Sequence, residues 1–207
     1  MGKNNTFSGW GNFPVIKGEL TQVSTEDHLI EAINANETVI PYGNGRSYGD
    51  NALNEHMIHY NDPINPIEFN QETGIGQFNA ATQIGELIDH VLPFGWFPPV
   101  VPGTKFVTIG GAIAADIHGK NHHIDGCFSQ HVISFNLMLE NGSIVECSKK
   151  KNFDLFKATC GGIGLTGVIL NARIKMIRVQ SRFIEQISYK AQNIDELFAH
   201  FNSFDSL

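Results

Sequence analysis

Two hundred and seven residues, 42% of them hydrophobic, are enough to bury a real core in one large domain or two small ones, which excludes a disordered or fibrous chain. Fourteen Lys and Arg against 21 Asp and Glu leave a formal net charge of −7, so the overall field repels phosphate backbones and no nucleic-acid partner is expected. Cys127, Cys147 and Cys160 leave one thiol unpaired in any disulfide scheme and show no C-x-x-C spacing, which points to a reducing compartment and away from structural zinc.

The N-terminal stretch MGKNNTFSGWGNF has no apolar signal-peptide core, and the charge-free run over residues 92–104 is broken by four prolines, so neither a signal peptide nor a transmembrane segment is read. Ser24 and Asp27 have N-cap and N3 character ahead of Leu29, Ile30 and Ile33, which predicts a helix over about residues 25–35. Val39, Ile40 and Pro41 read as a short strand. Residues 42–51 carry three glycines and no apolar periodicity, the mark of a loop with unusual backbone demands and a candidate ligand cradle. Strands around residues 67–69 and 76–79 flank a Glu72-Thr73-Gly74 turn, and a helix near 82–91 ends at Leu92-Pro93-Phe94-Gly95.

A Pro-rich extended piece over 97–102 and a Gly103-Thr104 turn then lead into a short helix of small residues entered through Thr108 as N-cap. Residues 131–147 alternate around Asn141-Gly142, a strong hairpin signal. A brief helix over 153–158, a tight turn over 161–167 and a strand over 168–177 follow, the strand placing Val168, Leu170, Ala172, Ile174 and Met176 on one face. After Arg178 the pattern restarts with a strand near 183–189 and a helix capped by Asn193 with Glu196 at N3. A strand and one helix cannot cover their own apolar faces, so this tail is expected to open a second, incomplete domain. The sum is α+β rather than regular βαβα.

Gly162-Ile163-Gly164-Leu165-Thr166-Gly167 matches G-x-G-x-x-G, but the order here is helix, glycines, strand, the reverse of what aims a helix dipole at a pyrophosphate. It reads as a turn. Two other glycine loops, 43–49 and 103–111, are rich in backbone N–H groups, and the second runs into a helix start. Together they suit a diphosphate, with Arg46 adding charge and Ser47 and Thr108 adding hydroxyls; the residues alone equally allow glycines that only make sharp turns. His118 and His122 have i, i+4 spacing, but no Glu lies between them and glycines break the helix, so no metal site is read; His118 and Lys120 read as polar groups at a pocket mouth.

The strings Gly45-Arg46-Ser47-Tyr48-Gly49-Asp50-Asn51, Leu92-Pro93-Phe94-Gly95, Val101-Pro102-Gly103-Thr104, Gly110-Gly111-Ala112-Ile113-Ala114, Asp116 through His123 and Gly164-Leu165-Thr166-Gly167 resemble the FAD-binding part of the vanillyl-alcohol-oxidase-type flavoproteins. The resemblance implies a two-subdomain FAD-binding PCMH-type domain over residues 8–178, divided at about 95/96, followed by the start of a truncated substrate or cap domain over 179–207. It implies that Pro41, Tyr42, Gly43, Asn44, Gly45, Arg46, Ser47, Tyr48, Gly49, Asp50 and Asn51 wrap the FAD pyrophosphate. Gly103, Thr104, Thr108, Ile109, Gly110 and Gly111 would line the cofactor, and Ala114, Ala115, Asp116, Ile117, His118 and Ile169 would complete its site.

Tyr48, His118 and Lys120 would lie near the flavin ring or the sugar, and the catalytic residues are expected beyond Leu207. Where flavin is covalent in such proteins a histidine stands in the place of Tyr48, so noncovalent FAD is implied. The strings most resemble members that oxidise the C2 hydroxyl of a polyprenylphosphoryl ribose by hydride transfer to flavin N5, leaving a keto sugar for a partner keto-sugar reductase. Oxidation of a free sugar, alditol or aldonolactone, or a flavin-binding piece without turnover, are the alternatives. A polyprenyl-phosphate substrate implies a cytoplasmic or peripherally membrane-associated protein.

Overall fold

The computed structural model describes residues 5–62 and 68–204 and opens with two strands that the sequence reading does not announce, β1 (Asn5–Phe7) and β2 (Ile16–Val23). β2 buries only Gly18 and Val23, so it lacks the alternation that marks a strand. Thr25, one residue later than the expected Ser24, caps the first helix by accepting the His28 N–H at 3.2 Å. That helix, α1 (Glu26–Asn34), buries Leu29 and Ile33. β3 (Ile40–Pro41) and β4 (His56–Tyr60) follow, and β4 lies parallel to both β2 and β3 in a sheet of order β1-β2-β4-β3.

A second sheet is antiparallel throughout, in the order β5-β6-β10-β8-β9. Its strands are β5 (Glu68–Asn70), β6 (Ile75–Asn79), β8 (Val132–Met138), β9 (Ile144–Ser148) and β10 (Val168–Lys175). Ile67, where a strand is expected to begin, lies outside the described residues. Because β5 and β6 precede residue 95 yet pair within this sheet, the gap between the two sheets falls between β4 and β5 rather than at 95. Long-range pairing of β6 with β10 sets that partition, and local pattern does not carry it.

The helices α2 (Ile84–Val91), α3 (Ile109–Ala114) and α5 (Phe153–Thr159) share the main core with this sheet, around Phe78, Leu87, Ile113, Phe135 and Phe156. β7 (Trp96–Phe97) and β11 (Ile177–Arg178) pair with each other, and α4 (His122–Asp125) is a single turn. A smaller core joins α1 and β4 to the far end of the second sheet through Leu29, Ile58, Tyr60, Met138, Val168 and Leu170.

β10 serves both cores. A register irregularity between Ile169 and Asn171 sends Val168 and Leu170 into the smaller core and Ile169, Ala172 and Ile174 into the larger one, so the five residues expected on one face are divided. The strand expected near 183–189 is absent: Phe183, Ile184, Ile187 and Tyr189 are exposed, and no described strand pairs with this segment. The last helix, α6 (Ile194–Phe204), is capped as expected, with Glu196 N–H donating to Asn193 Oδ1 at 2.9 Å, but it buries none of its residues.

Phe135 is 1% exposed and stacks on Phe156 with ring centroids 5.2 Å apart. Phe135→Ala is therefore expected to cost about 3–5 kcal/mol, read as a lower denaturant midpoint. Thr25→Ala, which removes only a cap, should cost about 1 kcal/mol in the same assay.

Candidate functional site

Where the two sheets part, they leave a cleft of about 540 Å³. One wall is the loop after β3 together with Ile58, His59 and Tyr60 of β4. The other is Ala80 and Ala81 after β6, one side of α3, and Val168 and Ile169 at the start of β10. Residues 103–104 and 163–164 also line it.

The loop over residues 42–51 is anchored at its root. Tyr42 N–H donates to Ile58 O at 2.8 Å, and His59 Nδ1 lies 3.0 Å from Tyr42 O. Gly43 then passes directly beneath the cap of α3: a Cβ at this position would stand 2.6 Å from Thr108 Oγ1. Gly45 has φ +60°, and a Cβ there would stand 2.3 Å from the Tyr42 hydroxyl, so glycine is required on both conformational and steric grounds. Asn44 Nδ2 donates to Phe106 O at 3.1 Å and the Arg46 guanidinium sits 5.7 Å above the Phe106 ring, which joins the two loops into one cradle.

Their N–H groups have different fates. The backbone N–H groups of residues 43–48 donate to no acceptor among the described residues, leaving a row of unclaimed donors at the cleft wall. The start of α3 does not offer the same. Ile109 N–H donates to Thr82 O at 2.9 Å, Gly110 N–H to Ala80 O at 2.8 Å and Gly111 N–H to Thr108 Oγ1 at 3.2 Å. Those three donors knit α3 to β6 and to its own cap, while the backbone N–H groups of residues 103–105, 107 and 108 donate to no acceptor among the described residues.

Arg46 is the one Lys or Arg lining the cleft, and no carboxylate lines it among the described residues, in a chain of net charge −7. A cleft so lined favours an anion. Burial, with Asp62 and Glu26 acting in the same direction, raises the Tyr60 hydroxyl to about 12, and burial raises Tyr42 against a smaller opposing effect of Arg46. Both phenols therefore stay protonated and available as donors at neutral pH.

Of the residues singled out from the sequence, Pro41 through Tyr48, Asn51, Gly103, Thr104, Thr108, Gly110, Gly111, Ala114, Ala115, Ile117, His118 and Ile169 line the cleft. Gly49, Asp50, Ile109, Asp116 and Lys120 do not. Ile109 is fully buried in the main core, and Asp50 turns its carbonyl to Leu53 N–H. Asp116, at φ +40°, takes the Ser129 N–H at 2.9 Å and the Ser129 hydroxyl at 3.0 Å, which fixes the chain just before His118. Lys120 is exposed.

Sequence reasoning missed Trp10, Ala52, Ile58, His59, Tyr60, Ala80, Ala81, Val107 and Val168 as cleft residues. Only Trp10 carried a usable signal, a tryptophan between two glycines. Its N–H donates to Ser47 O at 2.8 Å, so the N-terminal segment braces the loop. Ile163 also lines the cleft, at φ +56°, an uncommon conformation for a β-branched residue. Among the described residues no group of three or more His, Cys, Asp or Glu converges to hold a metal ion.

A family model described as an FAD binding domain matches residues 20–148. The chain is 36% identical to decaprenylphosphoryl-beta-D-ribose oxidase of Mycolicibacterium smegmatis over 92% of its own length and 43% of that protein's. It is 27% identical to L-gulonolactone oxidase of Mus musculus over 79% of its length and 36% of the relative's. Delta(24)-sterol reductase of Homo sapiens is 28% identical over 54% and 22%. The chain thus spans less than half the length of these curated relatives.

Gly43→Ala is expected to separate the two loops: the variant should lose the site's ligand and unfold at a lower temperature, as its Cβ displaces the Thr108 hydroxyl from its cap. Tyr60 supplies a pH test. Its hydroxyl rises from 10.0 to about 12 on folding, so its contribution is fully present below pH 10.0 and is lost as pH climbs toward 12. Circular dichroism on alkaline titration should show this decline, and Tyr60→Phe should flatten it.

Proposed function

The chain belongs to the family of FAD binding domains, and on that premise we propose that its cleft holds FAD noncovalently, with the pyrophosphate on residues 43–48. The observation that carries this reading is the row of unclaimed N–H groups beside Arg46 in a cleft free of carboxylates among the described residues. The residues present fit the cofactor. The N–H donors and the Ser47 hydroxyl suit the oxygens of a diphosphate, and Arg46 adds a charge-assisted contact. The glycine wall of α3 and Gly103, whose missing Cβ would meet nothing within 4 Å, leaves room for a flat ring system.

When bound, FAD supplies a two-electron acceptor at flavin N5. The chain supplies binding and orientation. Tyr48, 79% exposed, and His118 lie at the cleft mouth, where they would contact a ring or a sugar hydroxyl; Lys120, outside the lining, would reach the site only from its rim. Both tyrosines within the cleft hold their protons through neutral pH and so act as donors rather than bases.

For the whole protein we infer an FAD-dependent oxidoreductase that oxidises the C2 hydroxyl of a polyprenylphosphoryl ribose. The similarity to the Mycolicibacterium oxidase over 92% of the chain supports this substrate class. A keto sugar so formed would pass to a reductase to complete an epimerisation. The described residues contain no helix long and apolar enough to cross a membrane. Segment 179–207 would open the substrate domain, with the exposed Phe198 and Phe201 of α6 facing it. The similarity to L-gulonolactone oxidase favours a second reading, oxidation of a free sugar, alditol or aldonolactone.

The purified protein should show flavin bands that follow it through gel filtration and are released on denaturation; retention by the unfolded chain would disprove noncovalent attachment. Arg46→Ala is expected to weaken FAD binding about tenfold or more, the loss of one charge-assisted hydrogen-bonding group. Anaerobic mixing of the flavin-loaded protein with a polyprenylphosphoryl ribose should bleach the flavin absorbance. Bleaching by an aldonolactone instead would favour the second reading.

A further inference from the structure

On the second sheet, away from the cleft, a groove of about 430 Å³ shares no lining residue with it. Register places Arg173 of β10 opposite Ser134 of β8, and Ser134 opposite Ser148 of β9. Directly opposed residues project to one face, so a guanidinium and two hydroxyls stand in a row across three strands. Lys149 and Lys150 follow Ser148 at the strand end, and His131 and Lys175 complete the basic side of the groove.

This is a concentration of cations in an acidic chain. The groove's one carboxylate, Glu146, is already engaged by Lys151 at 3.1 Å. Lys149 donates to Gln130 O at 3.2 Å, and Lys175 donates to Thr73 O. Arg173 and Lys150 enter no ion pair among the described residues. Ser134 is 5% exposed and lines the groove. The Ser148 hydroxyl oxygen accepts the N–H groups of Lys150 and Lys151 at 3.2 and 3.0 Å, which curls the chain so that the Lys150 backbone is held at the groove.

We propose that this groove is a second anion site, built for a phosphate ester: the planar Arg173 fork takes two oxygens, Ser134 and Ser148 donate to the others, and Lys150 balances the charge. The phosphate could belong to a soluble ester or to a lipid headgroup, since the recognising chemistry is the same. The site is independent of flavin binding.

The test uses the protein saturated with FAD, so that free phosphate is read away from the cleft. Titration with inorganic phosphate should move the amide signals of Ser134, Ser148 and Arg173 saturably, and Arg173→Gln should weaken that response about tenfold or more. In parallel, flotation is measured with vesicles of phosphatidylcholine alone and of phosphatidylcholine mixed with phosphatidylglycerol. A response to phosphate in solution assigns a soluble ester. Flotation only with the anionic vesicles, lost in Arg173→Gln, assigns a headgroup. Lys150→Gln, on an exposed turn, repeats both arms should Arg173→Gln unfold. No response in either arm, or responses that survive both substitutions, would overturn the proposal.

Discussion

Everything at the cleft depends on how closely the loop after β3 approaches the cap of α3. Gly43 lies under Thr108 with no space for a Cβ, and the Thr108 hydroxyl is at once the neighbour of Gly43 and the acceptor for Gly111 N–H. One oxygen therefore serves both the helix and the seat of the loop. The Asn44 bond to Phe106 O and the stacking of Arg46 on Phe106 hold the same seam from the other side. Because these contacts fix the loop without using its own N–H groups, its donors stay available to a ligand.

That seam can be precise because the sheets on either side are themselves joined. The smaller core ties α1 and β4 to Met138, Val168 and Leu170, while the irregularity in β10 lets the next residues enter the larger core. A regular β10 would send Val168, Leu170, Ala172 and Ile174 to one side and leave one core incomplete. The cleft opens where the two cores diverge, and its apolar floor is made from the edges of both.

Charge is sorted along the same architecture. Carboxylates are absent from the cleft lining among the described residues, so Arg46 acts there without a competing partner, although the chain as a whole is acidic. Asp116, the nearest candidate in sequence, is drawn off by Ser129, and its two hydrogen bonds turn the chain so that His118 reaches the mouth. A second group of cations collects on the far strands, around Arg173. A net charge of −7 describes neither surface, since local sorting sets what each one attracts.

Much of this was legible from local chemistry. Thr108 as a cap, the Asn141-Gly142 hairpin, the Asn193 cap and the irregular glycine loop at 43–48 each follow from a backbone demand that a few adjacent residues state by themselves. What local pattern could not carry was anything settled between distant segments. β2 and β4 gain their place from parallel pairing with each other, and residues 183–189 fail to form a strand because no described partner meets their backbone. The same holds within the site. The sequence shows that the start of α3 has N–H groups, but only packing against β6 reveals that Thr82 and Ala80 have already taken them. Ile58, His59 and Tyr60 become cleft residues, and Lys120 falls outside the lining, because long-range pairing decides which side of each strand or turn faces the space between the sheets.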